Sequence, residues 1–157
     1  MTTLALFLVV LTGATAGLVL VVRGLLTAVR GSERTPGSLL RAAALLAGGG
    51  ALALYAWGTA HALLAVLSVE DGGTGSWPPR PCLAAGPDMA SHVDGYRISY
   101  LPLRFECHLS TGGTYATASV PAYVNPAFLG LTGVACVILG TAAARRVEAV
   151  PARKQEA

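Results

Sequence analysis

Three long apolar runs, separated by arginine-bearing or glycine- and proline-rich stretches, set the frame of this 157-residue chain. The first, residues 3–22, carries no charge. At about 1.5 Å per residue it makes a helix of roughly 30 Å, the thickness of a bilayer's hydrocarbon core. Ala14-Thr15-Ala16 resembles a signal-peptidase site, but the run continues through Val22 and no basic residue precedes it, so a retained span is expected. Gly13 and Gly17 form a GxxxG pair, read first as a packing face within the chain and second as a dimer interface. Residues 23–39 follow as a short polar connection with Gly31, Glu33, Arg34, Pro36 and Gly37.

The second run, residues 40–68, is long enough to tilt or protrude and contains the triplet Gly48-Gly49-Gly50. Glycines there predict a close-contact surface, with a kink as the rival reading. Past Arg41 at the start of the second run, His61 is the one conventionally ionisable side chain within the three runs, and Trp57 lies one turn earlier on the same helical face. An intramembrane ionisable group is a functional candidate by default; the plainer expectation is a neutral imidazole bonded to a neighbouring element.

Residues 69–121 differ in kind. Their first half is rich in Gly and Pro and reads as an irregular loop. In the second half, Tyr96–Leu109 and Thr114–Val124 are rich in Tyr, Ile, Phe, Thr and Val and flank Ser110-Thr111-Gly112-Gly113, which predicts a β-hairpin. Pro102 predicts a bulge or an edge position. A module this small needs a staple, and Cys82 with Cys107 can supply one. Closing that loop contributes roughly 3.5 kcal/mol in the chain-entropy model and requires an oxidising compartment. Cys136 stands apart in an apolar run and reads as a buried core thiol. Asn125-Pro126 reads as N-cap and first residue of the third run, residues 125–144, and 145–157 as a disordered polar tail.

Composition agrees with this frame: 54% hydrophobic and 12% charged residues, with mean hydropathy +0.60. The net charge of +3 is concentrated at Arg23, Arg30, Arg34 and Arg41 and at Arg145, Arg146, Arg153 and Lys154. Both clusters flank apolar runs without interleaved aromatics, which is the pattern of cytoplasmic membrane flanks and argues against a nucleic-acid partner. The expected fold is therefore a membrane all-α protein of three transmembrane helices with a small disulfide-stapled extracytoplasmic β-hairpin module. The N-terminus is expected outside and the C-terminus in the cytoplasm, at a bacterial plasma membrane.

PLRFEC (Pro102–Cys107), Gly112-Gly113 and VPAYVNP (Val120–Pro126) together resemble an extracytoplasmic segment of small, uncharacterised multi-pass membrane proteins of actinobacteria. His108-Leu109 departs from that pattern, in which an aromatic follows the cysteine. The resemblance implies the same topology and carries over no activity and no functional residue.

Catalytic chemistry finds little footing. Cys82 and Cys107 lack CxxC spacing, His92, Asp94, Glu106 and His108 match no zinc pattern, and Ser91, His92 and Asp94 lack a nucleophile-elbow context. Gly72-Gly73-Thr74-Gly75 lacks the lysine of a phosphate loop. No cofactor, metal or enzymatic activity is expected. The first expectation is an accessory subunit that contacts a membrane or envelope protein through Tyr96, Arg97, Tyr100, Arg104, Phe105 and Tyr115, since aromatics and arginine anchor interfaces. The alternative is a small homo-oligomeric channel or transporter that uses the glycine-rich helices, His61 and Trp57.

Overall fold

The computed structural model describes residues 2–30, 36–72 and 77–155. Gly31, Glu33 and Arg34 of the first connection, and Gly73-Thr74-Gly75 of the glycine-rich loop, lie outside the described residues. The chain is mostly helical, in the order α1 (Thr2–Arg30), α2 (Pro36–Glu70), a 3-10 turn (Arg80–Ala85), α3 (Pro87–Ala90), β1 (Val93–Tyr100), β2 (Leu103–Leu109), β3 (Thr114–Ala116) and α4 (Val124–Gln155). Three of these helices, Thr2–Arg30, Pro36–Glu70 and Val124–Arg145, are long and apolar enough to cross a membrane.

The helices overrun the apolar stretches. α1 continues past Val22 to Arg30 because Leu25, Leu26, Ala28 and Val29 extend a helix already nucleated, and extension costs far less than starting anew. Pro36 opens α2, where its missing N–H is harmless. α4 runs through the expected disordered tail to Gln155, because the tail's Ala, Glu, Arg, Lys and Gln are good helix formers attached to an existing helix.

Two compact units arise, Met1–Gly13 with Leu54–Pro126, and Ala14–Ala53 with Ala127–Ala157. In the second unit α1 and α2 meet at glycine. A Cβ on Gly17 would sit 2.9 Å from the Ala53 amide nitrogen and 3.0 Å from the Gly49 carbonyl oxygen. One on Gly49 would sit 2.9 Å from the Gly17 carbonyl oxygen and from Val21. Of the glycine triplet, Gly49 alone makes this close approach: a Cβ on Gly48 would meet nothing within 4 Å, and one on Gly50 would meet Leu131 at 3.6 Å. α2 is helical throughout the triplet, with no break.

The first unit holds a three-stranded antiparallel sheet in the order β1-β2-β3. The expected first hairpin strand is in fact two strands, turned back on themselves at Leu101-Pro102 with Tyr100 paired to Leu103. Proline cannot donate to a ladder, and here it ends one. The Gly112-Gly113 turn then joins β2 to β3, both glycines taking positive φ (88° and 106°) that other residues rarely adopt. The expected irregular stretch before the sheet is partly ordered as the 3-10 turn and α3, each opened by proline.

Candidate functional site

Strand alternation sorts the module's side chains onto two faces. Ile98, Leu103, Phe105 and Cys107 turn inward and are buried, with Tyr96 and Tyr115 packed against them. Leu6, Ala62, Ala65 and Val66 of the helices complete this core. Arg97, Ser99, Arg104, Glu106 and His108 occupy the opposite face, whose arginines are exposed. Arg97 Nη2 reaches Glu106 Oε2 across the strands at 3.4 Å, a solvent-screened pair of small energetic value.

This division corrects the expected contact set. Phe105 is wholly buried, stacked on Tyr96 with ring centroids 5.2 Å apart and planes 8° from parallel. Tyr115 donates its hydroxyl to the Cys82 carbonyl at 2.7 Å, tying β3 to the 3-10 turn. Burial pushes the hydroxyls of Tyr96 and Tyr115 above the usual tyrosine range, and the Glu70 carboxylate adds to the effect at Tyr96. Periodicity of two separates faces, but only the position of the helices decides which face is covered. Of the six expected residues, Arg97, Arg104 and Tyr100 are exposed. Beside them Leu101, not among the six, is 74% exposed at the turn.

The Cys82–Cys107 disulfide joins the 3-10 turn to β2 and is fully buried. Trp77 donates its indole N–H to the Val93 carbonyl at 2.9 Å, which holds the approach to the 3-10 turn against β1. Cys136, by contrast, is exposed on α4 rather than part of a core, because α4 buries little beyond Ala135 and Val124.

Where the sheet meets the helices, Gly58 of α2 is the contact. A Cβ there would lie 2.6 Å from Val124 Cγ1 and 3.0 Å from Leu103 Cδ2. Tyr55 donates to the Tyr100 carbonyl at 2.8 Å. Asn125, expected to cap α4, does something else. Its Oδ1 accepts from the Leu103 N–H at 2.8 Å and its Nδ2 donates to the Leu103 carbonyl at 3.1 Å. α4 has already begun at Val124, and β3 pairs only with residues 106–108 of β2. The buried Leu103 peptide therefore finds its partner in a side-chain amide.

His61 is half-buried, with its ring edge-on to Trp57 at 4.7 Å and 83°. Trp57 donates in turn to the Tyr123 hydroxyl at 3.1 Å, and both of those rings are largely exposed. Thr59 is fully buried on the same helix, its hydroxyl returned to the Tyr55 carbonyl at 2.8 Å. His92 Nδ1 lies 2.8 Å from the Asp88 carbonyl oxygen. Among the described residues no three His, Cys, Asp or Glu side chains gather as a metal site would require. Comparison with protein-family models, with curated proteins and with solved structures returns no match.

Proposed function

We propose that this chain is a three-span membrane protein, N-terminus outside and C-terminus in the cytoplasm, whose stapled module presents a basic face to a partner at the outer membrane surface. The membrane part of the proposal is supported by exposed apolar side chains on α1 and α4, among them Leu4, Leu18, Leu129, Val137 and Leu139. In water such surface promotes association; in lipid it is the favourable surface. The orientation rests on the arginines that flank the three helices. The Trp57–Tyr123 pair beside the start of α4 fits an interfacial aromatic belt.

The observation that carries the interaction reading is the pairing of a rigid inward face with an exposed outward one. Disulfide, Asn125 amide and Tyr115 hydroxyl all hold the sheet in place, while on neighbouring strands Arg104 and Arg97, the latter in its screened pair with Glu106, are exposed for bidentate contacts. The partner surface is accordingly acidic. Purification of the tagged chain in mild detergent at native expression level, with mass spectrometry of co-purifying proteins, tests this. A stoichiometric partner lost from Arg97→Glu/Arg104→Glu supports the reading; a homo-oligomer with no partner refutes it. Orientation is tested with a membrane-impermeant thiol reagent, which should label a cysteine placed at Thr2 and not one at Ala157.

A further inference from the structure

Within the unit formed by Ala14–Ala53 and Ala127–Ala157, α1, α2 and α4 line a half-open cavity of about 840 Å³. Its lining is divided in character. Arg41 of α2 and Arg145 of α4 line it, while Leu40, Ala44, Ile138 and Leu139 supply an apolar wall. Gly37 and Ser38, in the first turn of α2, line it as well. We propose that this cavity binds an anionic phospholipid, its phosphate held by Arg41 and Arg145 and an acyl chain laid on the apolar wall; the proposal rests on the membrane reading given above.

Two like charges around one cavity repel each other unless an anion lies between them. Among the described residues the one salt bridge joins Arg97 to Glu106, and the cavity's lining carries two arginines and no carboxylate. Guanidinium forks match phosphate oxygens, and first-turn amides of a helix point the same way. A free inorganic anion would satisfy the arginines but has no use for Leu40, Ile138 and Leu139. A lipid satisfies both halves of the lining. Basic cavities between spans on the cytoplasmic side are where anionic head groups are bound.

The test uses the full-length protein in detergent, titrated with phosphatidylglycerol or phosphatidylcholine and read by native mass spectrometry. Phosphatidylglycerol should be retained in clear excess over phosphatidylcholine. Each arginine removed should weaken it about fivefold, so Arg41→Gln/Arg145→Gln should lose roughly 25-fold. Arg41→Lys/Arg145→Lys, which keeps the charges and loses the forks, should bind between the parent and the glutamine variant, and Arg80→Gln, in the disulfide module, should change nothing. Equal retention of the two lipids, or an unchanged Arg41→Gln/Arg145→Gln variant, overturns the proposal. Displacement of phosphatidylglycerol by millimolar inorganic phosphate also overturns it, in favour of a free-anion site. A chain that fractionates away from membranes in a cell lysate overturns the membrane reading too, whereas a membrane-bound chain without lipid preference overturns the lipid site alone.

Discussion

Replacing Asn125 by alanine is the sharpest test of how the module is held. The side chain makes two hydrogen bonds to one peptide group, that of Leu103, a residue 1% exposed. Each bond is worth about 1 kcal/mol net, and a buried peptide group left unpaired adds about 1–3 kcal/mol, partly relieved by water entering the space that alanine vacates. The expected loss is therefore about 2–4 kcal/mol, a large part of the 5–15 kcal/mol that stabilises a typical domain. Hydrogen–deuterium exchange on the detergent-solubilised protein reads this locally, since amide protection tracks the free energy of opening. Protection of β2 amides should fall by roughly 30- to 1,000-fold, while α1 is unchanged. An N-cap role predicts otherwise, with about 1 kcal/mol lost and confined to the first turn of α4. Exchange that speeds up in that turn and leaves β2 as it was would refute the assignment of Asn125 to the sheet.

The glycine triplet offers a matched pair: Gly49→Ala should cost about 1–3 kcal/mol by overpacking against Gly17 and Val21, whereas Gly48→Ala should be neutral or slightly stabilising. Thermal unfolding of the two variants in detergent decides it, and equal midpoints would count against the helix contact. Replacing both Cys82 and Cys107 by alanine should destabilise the module by roughly 3.5 kcal/mol, measured as increased tryptic cleavage after Arg97 and Arg104. The raised titration of Tyr96 and Tyr115 fixes the sign of an alkaline effect. Their contribution is fully present below the ordinary tyrosine value near pH 10, and is lost as pH climbs through the higher folded values. Near-ultraviolet circular dichroism should thus stay flat from neutral pH to about 10 and fall above it, and Tyr115→Phe should reduce that alkaline loss.

Much of this architecture is written in local pattern. Three long apolar runs point to long helices, and Cys82 and Cys107, the two cysteines outside those runs, already point to their pairing. Gly112-Gly113 likewise specifies its turn without outside help, because only glycine takes both of those φ values without strain. Such features depend on neighbours in the chain.

What tertiary structure alone decided depends on neighbours in space. Alternation divides Tyr96, Phe105 and Tyr115 from Arg97 and Arg104, yet it is silent on which set is covered until Leu6 and Val66 close over one side. Asn125-Pro126 has the local signature of a helix cap, but an unpaired peptide in β2, 22 positions away, takes the amide instead. That Arg41 and Arg145 line one cavity is likewise invisible in sequence, for it depends on how helices pack rather than on any spacing between them.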